Sequence, residues 1–216
     1  MITYSHCPVC NSEQIYKQLS AKDHTVSGEE FEIWECSNCS LRFTQNVPAK
    51  EDIGKYYQSE NYVSHSESKR GVINRLYHLV RKRTLKSKQR LLEKYTELKT
   101  GKLLDIGAGT GAFLNTMQTA GWQIRGLEPD ETARANALEL YNIELLPSEE
   151  LFAQVPVYYD AITMWHVLEH VHDLHDYITQ IHKLLKPGGM AFIAVPNYTS
   201  SDAAHYQAEW AAYDVP

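Results

Sequence analysis

The chain has 216 residues, of which 43% are hydrophobic and 22% are charged. This length suits one large or two small domains, and the composition excludes wholesale disorder. The net charge of −6 argues against a protein that coats nucleic acid. No apolar run approaches the roughly 20 residues of a membrane helix, and the N-terminus lacks the basic and apolar regions of a secretory signal. We therefore expect a cytoplasmic protein.

The four cysteines form two C-x-x-C pairs with 25 residues between them: Cys7 and Cys10, then Cys36 and Cys39. Four thiolates at this spacing match a tetrahedral zinc site that keeps no open position, which indicates a structural role. Two disulfides are the alternative, but nothing here indicates an oxidising compartment. We predict a zinc-ribbon-like module at residues 1–45, with short strands at 31–36 and 41–43. Without the metal it is too small for a stable core.

Residues 46–100 are predicted to form an aromatic connector followed by a basic helix over 69–98. Residues 69–94 hold ten basic residues and one acidic residue, a net charge of +9, which leaves −15 for the rest of the chain. The helix is interpreted either as a solvated face or as an attractor for a phosphorylated substrate. RNA is a third interpretation, and the acidic surface of the zinc module disfavours it.

From residue 102 onward, short apolar runs alternate with amphipathic stretches, which is typical of a parallel sheet with crossover helices. Strands are predicted at 102–106, 123–127, 143–146, 158–164 and 189–195. Helices are predicted at 111–120, 130–140 and 173–185, and the Lys-Pro-Gly-Gly sequence at 186–189 should end the last one.

The first of these strands runs into a glycine loop that begins with an acid: Asp105-Ile106-Gly107-Ala108-Gly109-Thr110-Gly111. Glycines permit a tight turn and let a ligand lie against bare backbone at a helix N-terminus. The spacing satisfies a relaxed dinucleotide fingerprint, so an NAD-dependent oxidoreductase is a distant alternative. It also resembles motif I of the class I methyltransferases that use S-adenosylmethionine (SAM). A carboxylate at Asp105 repels a pyrophosphate and suits the cationic SAM.

Further motifs follow in order. Glu128 lies 17 residues past Gly111, a His-rich segment occupies 166–173, and Leu-Leu-Lys-Pro-Gly-Gly occupies 184–189. Over residues 101–197 the chain resembles class I SAM-dependent methyltransferases of the quinone-biosynthetic and sugar type. The resemblance implies an α/β fold, a Rossmann-like doubly wound parallel sheet with SAM across the carboxyl ends of its strands.

The resemblance also implies roles for individual residues. The methionine and ribose part of SAM would lie on Asp105, Gly107, Ala108, Gly109 and Gly111, and Glu128 would bind the ribose. The adenine would lie near Pro129, Ser148 and Glu149. Trp165 and His166 would close the methionine side, and Tyr57 or Tyr62 would cover the cofactor as a lid. An exposed acid at a helix start is the alternative for Glu128, and ordinary packing is the alternative for the tyrosines.

The histidines have separate interpretations. Residues 166–170 match the inverted zinc-protease motif H-x-x-E-H, but they follow a buried strand, which disfavours catalytic zinc. His166 and His170 are the catalytic candidates, with His170 as a general base or substrate contact. The alternative is that Glu169 and His170 only orient their loop. The helix face is predicted to hold His172, His175 and His182.

The resulting hypothesis is SAM-dependent methyl transfer to a small molecule, a sugar, a glycan or a lipid-linked precursor. The alternatives are an rRNA or tRNA methyltransferase, and an inactive SAM-binding or interaction protein. The predicted domains are 1–45, 46–100 and 101–216. The resemblance implies two more strands after the fifth, and only about 20 residues remain. We therefore expect a truncated five-stranded core with an exposed edge, competent to bind SAM but doubtful in turnover.

Overall fold

The computed structural model describes residues 1–49, 51–56 and 72–216, with side chains from residue 79 onward in the last range. Two compact units are present. The first contains the described residues up to Tyr56 together with Glu169–His175 and Val195–Pro216. The second contains the described residues from 72 to 168 and Asp176–Ala194. The sequential division at 45 and 100 stays a prediction.

The first unit is built on an antiparallel sheet of three strands in the order β1-β2-β3. The strands are β1 (Ile15–Lys22), β2 (Glu30–Cys36) and β3 (Arg42–Gln45). The predicted strands at 31–36 and 41–43 are present within two residues, whereas β1 was not expected. The register shifts between Lys17 and Leu19, so β1 lacks the uninterrupted apolar and polar alternation that marks a strand.

The segment after residue 195 packs on this antiparallel sheet. It contains the short helix α5 (Ser201–Tyr206). The Arg42 guanidinium lies 4.1 Å from the centre of the Tyr198 ring and donates to the Tyr213 hydroxyl at 3.2 Å. The Tyr198 hydroxyl in turn donates to the Ser40 carbonyl at 2.7 Å. The small core of this unit consists of Ala21, Phe31, Ile33, Tyr56 and Val215.

The second unit is a parallel sheet with helices, as the sequence predicts. Its strands are β4 (Lys102–Ile106), β5 (Gln123–Leu127), β6 (Tyr159–Trp165) and β7 (Leu185–Ala194). Its helices are α1 (Val72–Thr96), α2 (Ala112–Thr119), α3 (Glu131–Tyr141) and α4 (Leu174–Leu184), whose first two residues belong to the first unit. The strand order is β5-β4-β6-β7, so the chain reverses direction across the sheet beside β4, where ligands bind in folds of this type.

Three sequence expectations need correction. Residues 143–146 form only an isolated bridge between Leu127 and Leu146, because α3 ends just before them at Tyr141 and a 3-10 helix begins just after them at Ser148. The described sheet therefore has four strands rather than five. Helix α4 ends at Leu184, and β7 already begins at Leu185. His172 precedes α4 instead of lying on it, and its Nε2 contacts the Pro48 carbonyl at 2.8 Å.

Burial explains why these strands and helices pack together. Leu103 and Leu104 of β4 are fully buried, as are Leu114 of α2 and Leu92 of α1. A fully buried leucine contributes about 2 kcal/mol relative to an exposed one. Helix α1 is therefore part of the core of the second unit rather than an appendage. Among the described residues, no helix is both long and apolar enough to cross a membrane.

Candidate active site and metal centre

The glycine loop between β4 and α2 is shaped by backbone conformation. Gly107, Gly109 and Gly111 have φ angles of 71°, 54° and 76°, in the left-handed region that favours glycine. A Cβ on Gly107 would lie 2.3 Å from Val167 Cγ2, whereas a Cβ on Gly109 would meet nothing within 4 Å. The Gly107 and Ala108 amides donate to the Leu127 carbonyl at 2.8 and 2.9 Å. The loop is thereby tied to the end of β5 and leaves Gly109 open.

Glu128, directly after β5, is the carboxylate that meets this loop. Its side chain is buried, with 4% of the residue exposed. Oε2 accepts from the Gly109 amide at 2.7 Å, and Oε1 accepts from the Asp130 amide at 3.1 Å. Burial raises the pKa of Glu128, and the two amides oppose that shift. The structure shows that Glu128 holds the loop, and the ribose contact implied by the resemblance stays a prediction.

Asp105 lies beneath the loop at the end of β4 and is 2% exposed. The Thr163 hydroxyl of β6 donates to its Oδ1 at 2.5 Å. Burial raises the pKa of Asp105 to about 7, against the hydrogen bond from Thr163 and the charge of Lys88. A carboxyl with this pKa is poised to lose its proton when a cation binds nearby.

Helix α1 brings two cationic side chains, Arg81 and Lys88, to the groove beside the loop. The Lys88 ammonium lies 4.3 Å from the centre of the Trp165 ring, and burial lowers the pKa of Lys88. Trp165 in turn packs edge to face on Phe113 at 5.7 Å. A groove of about 380 Å³ is lined by Arg81, Thr84, Leu85, Lys88, Ala108, Gly109, Thr110, Ala112 and Phe113. It is large enough for part of a nucleoside-sized ligand.

The adenine-side candidates lie near the end of β5. Pro129 is exposed directly after Glu128, and Arg134 of α3 donates to the carbonyls of both residues at 2.7 and 2.6 Å. Ser148 and Glu149 begin a 3-10 helix that spans Ser148–Ala153 and contacts β5. Arg134 therefore fixes the backbone on which two predicted ligand contacts lie.

The catalytic candidates His166 and His170 have different surroundings. His166 follows β6, is exposed, has a φ of 60°, and donates its amide to the Ala194 carbonyl at 3.0 Å. His170 belongs to the first unit and is mostly buried. Its Nε2 lies 3.4 Å from Asp214 Oδ2, and its Nδ1 lies 3.3 Å from the Pro216 carbonyl. Burial lowers the pKa of His170, but Asp214, Glu169 and the Pro216 carbonyl together outweigh that effect, so the net shift of the pKa is upward.

The structure brings together the candidates that follow the strands of one sheet. Asp105, the glycine loop, Glu128 and Trp165 converge at the carboxyl ends of β4, β5 and β6. Tyr57 and Tyr62 lie outside the described residues. Thr163, Lys88 and Arg134 were not predicted, because each acquires its role only from the partner that folding brings to it.

The four cysteines converge as the spacing predicts. All four Sγ atoms lie within 4.8 Å of one another, with Cys7 to Cys39 and Cys10 to Cys36 both at 3.6 Å. These separations exclude disulfide bonds of about 2.05 Å and are close to the roughly 3.8 Å between thiolates of a tetrahedral zinc site. Among the described residues, this is the one group of three or more such side chains placed to hold a metal ion. The H-x-x-E-H residues do not form one.

The two cysteine turns have matching backbones. The Asn11 amide donates to the Cys7 carbonyl at 3.0 Å, and the Ser40 amide donates to the Cys36 carbonyl at 2.8 Å. Asn11 and Ser40 have φ angles of 58° and 59°. Two turns of the same conformation thus present their thiols to one point, and this donor set fits a thiophilic tetrahedral metal.

Comparison with known proteins agrees with this geometry. Residues 76–216 match the family model described as a methyltransferase domain. Because the match covers more than half of the chain, the protein belongs to this family of methyltransferase domains.

Two curated relatives and one solved structure show which proteins this chain is similar to. The ubiquinone biosynthesis O-methyltransferase of Vibrio atlanticus (strain LGP32) is 39% identical over 114 residues, covering 50% of this chain and 48% of the relative. The enzyme of the same name from Bordetella pertussis is 35% identical over 103 residues, covering 44% and 43%. The chain thus spans about half the length of the curated relatives it matches. The crystal structure of the PH0226 protein from Pyrococcus horikoshii OT3 has a TM-score of 0.50 and 21% identity over 68% of this chain and 66% of that one, which shows the shared fold.

Proposed function

We propose that this chain binds SAM and transfers its methyl group to a small-molecule acceptor. The observation that carries the proposal is the pair of buried carboxylates at the glycine loop. Asp105 and Glu128 lie at the ends of adjacent strands, where they suit a cationic ligand that carries ribose hydroxyls and repel a pyrophosphate. Family membership supports the same reaction class.

The ribose role of Glu128 is compatible with its present hydrogen bonds. Each carboxylate oxygen can accept two hydrogen bonds, and each oxygen of Glu128 accepts one from backbone. The remaining lone pairs are available to hydroxyl donors. In this proposal Glu128 couples ligand binding to the position of the loop, because one carboxylate serves both.

When bound, SAM supplies a methyl group on a sulfonium, so transfer is a displacement that depends on alignment. The chain supplies open backbone at Gly109 and a carboxyl at Asp105 that can lose its proton when a cation binds. It also supplies cationic side chains at Arg81 and Lys88, which can face a carboxylate. Trp165 contacts Lys88 of α1 and Phe113 of α2, and it thereby limits the movement of the two helices that line the groove.

Calorimetric titration with SAM and S-adenosylhomocysteine tests the proposal. We expect Glu128→Ala to weaken SAM binding roughly 10- to 100-fold, since hydrogen bonds to a charged group contribute about 1.5–3 kcal/mol. Glu128→Gln keeps one acceptor oxygen and should lose less. Glu139→Ala, on the exposed face of α3, is the matched control. A Glu128→Ala variant that is folded and binds SAM as tightly as the parent would overturn the site.

The acceptor belongs to the proposal. The relatives are named for O-methylation in ubiquinone biosynthesis, which favours a small molecule over RNA. Within the class of small-molecule acceptors, the proposal includes sugars, glycans and lipid-linked precursors, and it also includes an acceptor that carries phosphate. Radiolabelled methyl transfer into fractions of a cell extract would identify the acceptor, and label found only in RNA would contradict a small molecule.

We also propose His170 as the base for an acceptor that must lose a proton. The raised pKa of His170 means that it is protonated at acidic pH and becomes a base only as the pH rises. Activity should therefore increase with pH as His170 loses its proton. His170→Gln should remove this pH-dependent increase in activity while leaving SAM binding intact. If the pH dependence of activity were the same in His170→Gln as in the parent, His170 would only orient its loop and would not act as the base.

We propose a structural zinc ion on Cys7, Cys10, Cys36 and Cys39. The convergence of the four Sγ atoms supports it. Four thiolates leave no position for substrate, so the metal would fold the antiparallel sheet rather than take part in methyl transfer. Elemental analysis should give one zinc per chain, and a chain purified with no bound metal that still folds this sheet would contradict the proposal.

A further inference from the structure

The outward face of α1 carries a row of basic side chains. Arg83, Lys86, Arg90 and Lys94 are spaced by three, four and four residues, and all four are exposed. At 100° per residue this spacing places them along one stripe of the helix. The opposite stripe holds Leu92, which is fully buried in the core.

A second row on the same outward side is apolar. Val80, Leu91 and Tyr95 are 55%, 41% and 52% exposed. They are spaced by 11 and four residues and therefore share a stripe that borders the basic row. The Lys94 ammonium lies 5.3 Å from the centre of the Tyr95 ring, so the two rows touch at this point.

The charge of this face is not compensated locally. Glu93 is the one acidic residue between positions 79 and 96 of the sequence. Its side chain is only 14% exposed and is held by Gln89 at 2.7 Å and by Lys99 at 3.2 Å. The field outside α1 is therefore positive along the basic row.

We propose that this outward face of α1 docks on an anionic phospholipid surface. A basic row beside an exposed apolar row is the pattern of a helix that lies in the headgroup region, with aliphatic and aromatic groups inserted and charged ends at the phosphates. RNA would pair with the basic row but would leave Val80 and Leu91 exposed to water, so charge and apolarity together favour lipid. The proposal does not require methyl transfer.

The test is flotation of the full chain with vesicles of phosphatidylcholine alone or of phosphatidylcholine and phosphatidylglycerol at 7:3. The chain should float with the anionic vesicles, bind neutral ones weakly, and be released as salt rises. Arg83→Gln/Arg90→Gln should partition about 30-fold more weakly, since each basic residue near such a surface contributes about fivefold. Leu91→Ser/Tyr95→Ser should also lose binding.

Matched controls keep the test specific. Arg125→Gln/Lys183→Gln removes the same charge from exposed positions outside α1, and Leu138→Ser removes an exposed leucine from α3. Both should float like the parent. SAM titration of every variant separates this proposal from the methyltransferase site, because the α1 variants should bind SAM normally.

Several outcomes would overturn the proposal. These are equal binding to both vesicle types, parent-like flotation of Arg83→Gln/Arg90→Gln, and parent-like flotation of Leu91→Ser/Tyr95→Ser. Stronger binding to transfer RNA than to anionic vesicles, with no dependence on Leu91 and Tyr95, would assign the face to nucleic acid. Self-association lost in the same variants, without vesicle binding, would assign it to a second copy of the chain.

Discussion

The two sheets of this protein differ in the size of the apolar core that each one has. The antiparallel sheet β1–β3 encloses a core of five buried residues and gathers four cysteines at one point. The parallel sheet β4–β7 is part of a cluster with eleven buried residues and takes α1 and α2 against it, while α3 packs on α2. From this comparison we expect the first sheet to depend on its cysteines and the second to depend on apolar burial, which lets it place left-handed glycines and buried carboxylates at its edge.

Removing a cysteine should give the largest difference between the sheets. We expect Cys36→Ser, or chelation of the parent, to unfold the antiparallel sheet, because structural zinc supplies about 10–16 kcal/mol of folding free energy in comparable modules. Hydrogen exchange should then show lost protection at Ile33 and retained protection at Leu104. Val9→Ala, at an exposed position of the first cysteine turn, is the control. Protection of Ile33 that survives chelation would show that apolar burial suffices there.

The glycine loop tests how much strain the parallel sheet tolerates. Gly107→Ala combines a φ of 71° with a Cβ 2.3 Å from Val167, so it should lower the free energy of unfolding by about 3 kcal/mol or more. Gly109→Ala has a similar φ and open space, so it should cost only about 1–2 kcal/mol. Denaturant unfolding of the two variants measures the difference. Equal losses would mean that Val167 moves aside and that backbone strain alone matters.

The buried carboxyl of Asp105 should make the parallel sheet less stable as the pH rises. Its pKa of about 7 lies above the ordinary value of 3.8, so the folded chain keeps a proton that the unfolded chain has lost. The contribution of this group to stability is therefore complete below about pH 4 and declines until the pH passes 7. Between pH 5 and pH 8 the loss should be about 3 kcal/mol.

Asp105→Asn removes this titration. Denaturant unfolding at several pH values should give a smaller decline for Asp105→Asn than for the parent, and SAM binding should weaken. The raised pKa of Glu128 acts in the same direction, but it is present in both proteins and largely cancels in the comparison. Parallel pH dependences would place the titrating group elsewhere.

Strand ends were predictable from the sequence, and the partners of side chains were not. β4 and β5 lie where their apolar runs predict, so Asp105, the glycine loop and Glu128 could be assigned to one edge of a sheet. The missed strand β1 has a register shift, and the false strand at 143–146 is cut short by the 3-10 helix that begins at Ser148. Local sequence carries the period of an element but does not report a bulge or how soon the next element begins.

Unpredicted site residues have a common cause. Thr163 lies within a buried strand and Lys88 lies among ten basic residues, so neither differs locally from its neighbours. Thr163 becomes important because β6 pairs with β4 and brings its hydroxyl to Asp105. Lys88 becomes important because α1 packs beside the glycine loop. Both roles come from tertiary pairing, for which one sequence contains no direct signal.

The smallest expected effect concerns the attachment of the segment after residue 195 to the antiparallel sheet. Tyr198→Phe removes the hydrogen bond to the Ser40 carbonyl but keeps the ring beneath Arg42, so it should cost about 1 kcal/mol. Tyr198→Leu also removes the cation–π contact and should cost roughly a further 0.5–1 kcal/mol. Thermal unfolding followed at Trp34 would measure both. Tyr206→Phe, at an exposed tyrosine of α5, is the control. If Tyr198→Phe matched that control, the hydroxyl would contribute nothing, and the ring alone would attach the segment to the antiparallel sheet.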